Sequence, residues 1–281
     1  MLFLPEKKNF GIIKGEIMEE LLKKRLFLLD MDGTIYLDND LFDGTIDFLE
    51  HIKKIGGRYL FLTNNSSKSV NKYIEKLKSL GIESTPDDFV TSVNATAAYL
   101  EKKNYKKMYV FGTQSLKEQL SCFPITDKLE DDIDCLVMGF DTELAFQKLE
   151  DACILLNRGV DYIATNPDWV CPTWYGSVPD CGSIAQILNT ATGRMPYFIG
   201  KPRPEMIYLA MEKTGYSPDE TVIIGDRLYT DIASGVNAGV SSILVLSGEA
   251  TMKDVEESDV SPKHILKDIK ELYEYLSSHS A

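Results

Sequence analysis

Short apolar runs alternate along this chain with longer amphipathic segments. The runs predict buried strands at residues 26–29, 58–62, 108–111, 134–138, 162–164, 197–199, 222–224 and 243–246. The amphipathic segments predict helices near residues 44–55, 69–80, 92–102, 142–157, 183–190, 204–213, 230–238 and 269–277. Strict alternation of this kind favours an α/β fold in which helices wrap parallel sheets.

Length and charge limit the classes of partner. The chain has 281 residues, which corresponds to about two domains. Its net charge of −13 repels nucleic acid and anionic membranes, so we expect neither as a partner. No apolar run approaches the length of a membrane span or a signal peptide. Five scattered cysteines without Cys-x-x-Cys spacing argue against zinc and for a reducing, cytoplasmic location.

Two carboxylates follow the first predicted strand. Asp30 and Asp32 stand one residue apart, directly before Gly33 and Thr34. Open α/β sheets bind ligands at the carboxyl ends of their strands, where both side chains are expected. Like charges at this range repel each other, and hard oxygen donors suit Mg²⁺. The alternative is a plain surface turn, since Asp, Gly and Thr all favour turns.

Three more predicted strands end in residues that suit phosphate or a metal ion. We expect all four strand ends at one edge of a single parallel sheet. The three further sets are Thr63, Asn64 and Asn65; Lys201; and Asp226 with Asp231. Phosphoryl transfer needs a nucleophile, positive charge on the phosphate oxygens and a proton for the leaving oxygen. Carboxylates, Mg²⁺, a lysine and a hydroxyl supply these requirements.

These motifs closely resemble those of the haloacid dehalogenase superfamily of phosphatases. The matching segments are Asp30-Met31-Asp32-Gly33-Thr34, Thr63, Lys201, and Gly225-Asp226 with Asp231. More narrowly, residues 61–66, 165–168, 200–202 and 225–231 resemble the NagD/4-nitrophenyl phosphatase branch, subfamily IIA. The resemblance implies a Rossmann-like core formed by residues 25–83 and 184–281, with an inserted α/β cap at 84–183. Residues 1–24 are an extension without an assigned role.

The resemblance also implies a role for each residue. Asp30 is the nucleophile and a metal ligand, while Asp32 is the acid/base and offers its main-chain carbonyl to the metal ion. Asp226 completes the metal site, supported by Asp231, Gly33 and Thr34. Thr63, Asn64, Asn65 and Lys201 hold the phosphate. We therefore expect a Mg²⁺-dependent phosphatase, with Mn²⁺ a plausible substitute, which hydrolyses a small phosphate monoester through an aspartyl phosphate.

Other functions stay open at this point. A phosphomutase of the same superfamily, a receiver-like phospho-switch and a non-catalytic sugar-phosphate binder all use related residues. The substrate and the oligomeric state are not determined, and a homo-oligomer is one option. The stretch 166–175 reads as a long irregular loop, and such loops are usually functional. We expect it to lie over the strand ends as a lid, with Asn166, Asp168 and Trp169 as candidate specificity residues.

Overall fold

The computed structural model describes residues 18–173 and 175–279, and these contain two parallel sheets and two short hairpins. The strands are β1 Leu26–Leu29, β2 Tyr36–Leu37, β3 Asp40–Leu41, β4 Arg58–Thr63, β5 Phe89–Thr91, β6 Met108–Phe111, β7 Ile125–Thr126, β8 Cys135–Met138, β9 Asp161–Ala164, β10 Val170–Thr173, β11 Gly176–Pro179, β12 Tyr197–Phe198, β13 Thr221–Gly225, β14 Ser241–Val245 and β15 His264–Leu266. The expected α/β fold is confirmed.

Ten α-helices connect these strands within the described residues. They are α1 Thr45–Lys54, α2 Val70–Ser79, α3 Ser92–Glu101, α4 Gln114–Gln119, α5 Phe146–Arg158, α6 Cys181–Thr192, α7 Glu205–Thr214, α8 Ala233–Ala238, α9 Met252–Glu257 and α10 Ile269–His279. A π-helical turn, Leu228–Ile232, precedes α8. None of the helices in the described ranges is both long and apolar enough to cross a membrane.

The first sheet has six parallel strands in the order β15-β14-β13-β1-β4-β5. Strand β1 lies at its centre, with Leu29 opposite Ile224 of β13 and Phe61 of β4. This register brings the carboxyl ends of the three central strands to one edge. The residues that follow β1 and β13, and the last residue of β4, therefore become neighbours although they are far apart in sequence.

The second sheet has five parallel strands in the order β12-β9-β8-β6-β7. Strand β12 pairs with β9, so it does not belong to the first sheet. The expectation that this strand shares an edge with the strand of Asp30 is therefore wrong. Strand and helix alternation identifies elements without showing which of two sheets a strand joins. The chain leaves the first sheet after Thr91 and the second after Phe198, whereas the domain limits themselves stay a prediction.

Layers of helices separate and cover the two sheets. One face of the first sheet packs on α1 and α10 through a cluster that includes Phe27, Phe48 and Leu272. Its other face shares a cluster with the second sheet, through residues such as Leu28 of β1, Val137 of β8 and Ile207 of α7. A third cluster joins the outer face of the second sheet to α5 and α6. We call each sheet with its covering helices a block. This shared packing fixes the two blocks against each other along one wall.

The stretch after β9 is more ordered than its sequence indicates. The expected irregular loop contains the antiparallel hairpin β10–β11, in which Val170 pairs with Pro179. Trp174 lies outside the described residues, as do residues 1–17 of the predicted extension. The rest of that extension forms a 3₁₀ helix, Met18–Lys23, which buries Leu21 in the first cluster. The sequence did not predict this hairpin, because Pro172 and Pro179 fall within its strands and proline in an apolar run argues against a central strand.

Candidate active site between the two blocks

Asp30 follows the central strand of the first sheet directly. Its main-chain N–H continues the ladder by donating to the carbonyl oxygen of Ile224 at 2.9 Å, which fixes the side chain at the sheet edge. Its carboxylate remains 17% exposed and faces a cavity of about 860 Å³ between the two blocks. A rigid main-chain position with an accessible carboxylate is what the predicted nucleophile requires.

Lys201 reaches the first sheet although the strand before it belongs to the second. Its Nζ lies 2.6 Å from Asp30 Oδ1 and 2.6 Å from Asp231 Oδ1. The Lys201 side chain is almost fully buried, as is that of Asp231. Burial opposes the charge on Lys201, but Asp231 and Asp30 outweigh it and raise the pKa of the ammonium. Lys201 is therefore a fixed positive charge beside Asp30.

Asp30, Asp226 and Asp231 form a compact group of carboxylates. Oxygens from the three lie within 4.8 Å of one another. Burial raises the pKa of Asp30 well above its usual range, with repulsion from Asp231 as the next cause, while Lys201 acts in the opposite direction. Burial, followed by Asp231, also raises the pKa of Asp226 to about 6. Three carboxylates against one ammonium leave a charge excess that favours a bound cation.

The surroundings of Asp226 fit a hard cation. Its Oδ2 accepts the main-chain N–H of Glu249 at 2.7 Å, while its buried Oδ1 has no partner among the described residues. Buried polar atoms without a partner are rare in proteins and call for a ligand. A Cβ atom on Gly33 or on Gly248 would lie closer than 3.0 Å to Asp226 Oδ2, so both positions need glycine. Oxygen-only donors of this kind suit Mg²⁺.

The Asp32 carboxylate lies apart from the compact group of Asp30, Asp226 and Asp231. Its side chain is 55% exposed, lies 3.5 Å from Lys76 Nζ, and accepts a hydrogen bond from the Tyr36 hydroxyl at 3.3 Å. The carboxylate is not a member of the compact group, in which Asp231 stands instead. Strand β1 ends at Leu29 and the chain turns at Gly33, whose φ is +86°, so alternation along a strand no longer applies. Asp32 does line the cavity, on its open side.

Asn64 connects the two blocks. It follows Thr63, the last residue of β4, and its Oδ1 accepts the main-chain N–H of Lys201 at 2.8 Å. Its Nδ2 donates to the carbonyl oxygen of Lys201 at 2.9 Å and to Asp168 Oδ1 at 3.1 Å. The carbonyl oxygen of Asn64 accepts from Asn166 Nδ2 at 2.7 Å. These bonds hold the Lys201 loop to the first sheet and explain why its ammonium meets Asp30.

The neighbours of Asn64 complete this wall. Thr63 lines the cavity, and its hydroxyl accepts the main-chain N–H of Asn65 at 3.2 Å. Asn65 in turn accepts from the N–H and hydroxyl of Ser67, at 2.9 and 2.7 Å. Thr34 is fully buried and its hydroxyl has no partner among the described residues. The loop after β4 is thus rigid and presents polar groups to the cavity.

The candidate specificity residues separate into two groups. Asp168 is buried and lines the cavity, and burial raises the pKa of its carboxyl. Asn166 is fully buried in the wall behind it. Trp169 is 52% exposed and does not line the cavity, so its side chain is not placed for the predicted substrate contact. Hairpin residues Val170 and Cys171 form that part of the wall instead.

Sequence reasoning missed several residues of the cavity wall. Arg227 lies beside Asp226 and pairs through Nε with Glu249 at 2.8 Å. Lys68, Lys72 and Lys76 line the same cavity. The lysines share a spacing of four residues, a pattern that becomes informative only when one helix face is known to meet the site.

The fold and this site define a class of enzyme: hydrolases with a Rossmann-like parallel sheet that gather carboxylates and one buried lysine at the sheet edge, under a second α/β block. Two family models agree, both described as haloacid dehalogenase-like hydrolases, and they match residues 27–125 and 198–272. The chain belongs to this family, in its NagD/4-nitrophenyl phosphatase-like branch, and the prediction of a phosphatase is confirmed at that level.

Three relatives illustrate the similarity. The acid sugar phosphatase of Staphylococcus aureus is 35% identical over 248 residues, which are 88% of this chain and 96% of that protein. The structure of a 4-nitrophenylphosphatase from Thermotoga maritima is 41% identical, with a TM-score of 0.87 and coverage of 92% and 99% of the two chains. A glycerol phosphate phosphatase from Mycobacterium tuberculosis in complex with magnesium is 30% identical, with a TM-score of 0.83 and coverage of 89% and 77%.

Proposed function

We propose that this protein is a Mg²⁺-dependent phosphatase that hydrolyses a small phosphate monoester through an aspartyl phosphate on Asp30. The carrying observation is the position of that carboxylate. It follows the central strand, faces a large cavity, and lies 2.6 Å from the buried ammonium of Lys201. A negatively charged nucleophile can approach a phosphate dianion only where positive charge offsets their repulsion.

Two displacements complete the reaction. A carboxylate oxygen of Asp30 attacks phosphorus, and the bond to the ester oxygen breaks as Asp32 gives that oxygen a proton. Asp32 then takes a proton from water, which attacks phosphorus and releases inorganic phosphate from Asp30. The open position of Asp32 on the cavity side supports this role, because the leaving group and water both need access there.

Asp30 and Asp226 would hold the metal ion through side-chain oxygens, and Asp32 through its main-chain carbonyl. When bound, Mg²⁺ supplies positive charge to the phosphate oxygens. Asp231 would stay paired with Lys201 and support the site from behind. The Asp226 oxygen without a partner and the magnesium and calcium complexes of the mycobacterial relative support a divalent ion at this position.

The substrate is proposed to be a small organic phosphate. The names of the relatives refer to sugar phosphate, nitrophenyl phosphate and glycerol phosphate, and the cavity has room for leaving groups of that size. Free thiols at all five cysteines fit the proposed cytoplasmic location. Neither nucleic acid nor a membrane is needed as a partner, and a homo-oligomer stays open.

A phosphate-release assay with Mg²⁺ against a panel of small esters tests the proposal. The Asp30→Asn variant should lose at least a thousandfold in turnover while keeping its melting curve, because the shape remains and the attacking charge is lost. Asp259→Asn, at an exposed position far along the chain, is the matched control and should keep full activity. Mass spectrometry of the acid-quenched enzyme should find phosphate on the peptide containing Asp30. Near-normal turnover by Asp30→Asn would overturn the assignment, and transfer of phosphate between substrate positions without release would indicate a mutase.

Metal dependence is tested by removal and by stability. Excess chelator should abolish phosphate release, and added Mg²⁺ should restore it. Independently of activity, Mg²⁺ should raise the melting temperature of the wild type by mass action and have little effect on Asp226→Asn. Full activity in excess chelator, or the same Mg²⁺ shift in both proteins, would contradict the metal site.

A further inference from the structure

Three lysines form a row along one side of the active-site cavity. Lys72 and Lys76 lie four residues apart on one face of α2, and Lys68 lies just before the N-cap residue Ser69 of that helix. All three line the same cavity as Asp30. The hairpin residues Val170, Cys171 and Ser177 line this cavity as well. Because Lys76 Nζ lies 3.5 Å from Asp32 Oδ1, and Asp32 is the proposed proton donor to the leaving group, we assign the lysines to the leaving-group side of the cavity.

The third lysine has partners that the first two lack. Lys76 Nζ lies 3.5 Å from Asp32 Oδ1 and 3.7 Å from the centroid of the Tyr36 ring, so its charge is offset on two sides. Lys68 and Lys72 make no ion pair within the described residues, although Glu75 and Asp38 also line the cavity. The ammonium groups of Lys68 and Lys72 therefore remain available to a ligand.

The stability of helix α2 does not explain why three lysines stand at these positions. Lysines four residues apart on one helix face repel each other by a few tenths of a kcal/mol. A cation in the first turn is also disfavoured by the helix dipole, and the first turn of α2 carries no acidic residue. The backbone around Lys68 is held firmly, because Ser67 is fixed by Asn65 and by the Thr113 hydroxyl, which donates to its carbonyl oxygen at 3.3 Å. The loop thus fixes the main chain from which the exposed Lys68 side chain extends at the edge of the site.

We propose that Lys68 and Lys72 bind a carboxylate on the leaving group, so that the favoured substrates are phosphorylated acids. The proposal rests on the proposed phosphatase function and specifies its substrate class. A carboxylate fits better than a second phosphate, because Asp38 and Glu75 share the cavity wall and would repel a dianion more strongly. In a chain of net charge −13, such local cations are what attract an acidic substrate.

Matched substrates test this inference. We would measure kcat/KM with Mg²⁺ for 3-phosphoglycerate against glycerol 3-phosphate, and for 6-phosphogluconate against glucitol 6-phosphate. Each pair differs only in a carboxylate replaced by a hydroxymethyl group, at a short and at a longer distance from phosphorus. The wild type should favour the acid in at least one pair, and the preference should fall as salt is raised, since exposed charges are screened.

The variant Lys68→Gln/Lys72→Gln should lower that acid-to-neutral ratio roughly tenfold, as expected for the loss of charge-assisted hydrogen bonds. Each single variant should give part of the change. The control Lys54→Gln/Lys78→Gln removes the same charge from exposed positions outside the cavity and should keep the wild-type ratio. A wild-type ratio of one or below in both pairs, or an unchanged ratio in the double variant, would overturn the inference. Absence of phosphate release from every ester would instead count against the phosphatase proposal itself.

Discussion

Replacement of Asn64 by alanine would test whether the connection between the two blocks holds the site together. The side chain makes three hydrogen bonds, two to the main chain of Lys201 and one to Asp168. Asn64 and Lys201 are both buried, so water has little access to the groups left behind. The variant therefore removes bonds and also leaves a buried N–H and a buried carbonyl without partners.

The expected loss follows from these two main-chain groups. A buried donor or acceptor without a partner costs about 1–3 kcal/mol, so two give about 2–6 kcal/mol, with entry of a water molecule favouring the lower half. We expect a loss of about 3 kcal/mol in the free energy of unfolding. For a chain of this size, about 2–4 °C accompanies each kcal/mol, so the melting temperature should fall by about 6–12 °C.

Calorimetry and urea unfolding, both without added metal, would measure this loss. Asn157→Ala is the matched control, because Asn157 is exposed on α5 and should change stability by less than about 0.5 kcal/mol. Activity measured well below the melting point should fall by more than the loss of folded protein accounts for. The reason is that the Lys201 loop would no longer hold its ammonium beside Asp30. A destabilisation below about 1 kcal/mol together with normal kcat would refute the view that Asn64 positions Lys201.

Four further outcomes are expected. Lys201→Met should destabilise the metal-free protein by about 3 kcal/mol, because it leaves buried carboxylates without their cation; an unchanged melting curve would contradict this. Asp32→Asn should slow turnover at least a hundredfold yet still form the aspartyl phosphate from 4-nitrophenyl phosphate, whose leaving group needs no proton; normal turnover would remove Asp32 from the mechanism. Gly33→Ala should weaken the Mg²⁺-induced rise in melting temperature, since its Cβ would displace Asp226, and a full rise would show that the carboxylate tolerates the shift. Asp168→Ala should change the ranking of substrates, whereas Trp169→Ala should leave it intact. A substrate panel measured on both variants checks this, and the reverse result would contradict it.

The strand ends of the first sheet were predictable because local signals and topology agree there. The apolar run before Asp30 and the run before Asp226 are both short and fully buried, and parallel strands place their carboxyl ends at one edge. The same reasoning brought Thr63 to the site. Each of these positions depends only on where a strand ends, which hydrophobic patterning records well.

Lys201 and Asp231 show where such reasoning stops. Strand β12 belongs to the second sheet, and Lys201 reaches Asp30 through a loop held by Asn64, a long-range contact that no local pattern encodes. Asp231 joins the carboxylates because the π-helical turn places it below Lys201. Side-chain direction after a strand end depends on turns such as the one at Gly33, so hydrophobic patterning alone could not show that the Asp32 carboxylate lies apart from the group formed by Asp30, Asp226 and Asp231.

The charge differs between two parts of the cavity, an inner end beside Asp30 and an outer end beside Lys68 and Lys72. At the inner end, beside Asp30, three carboxylates exceed the ammonium of Lys201 within the described residues, and the proposed metal ion would offset this excess. At the outer end, Lys68 and Lys72 make no ion pair with any residue that the structure describes, although the chain as a whole is strongly acidic. The groups at the inner end would contact the phosphate, which every ester shares, so they would not by themselves distinguish one phosphate ester from another. The outer lysines would supply that distinction, which makes the leaving group, rather than the phosphate, the part of the substrate that this chain selects.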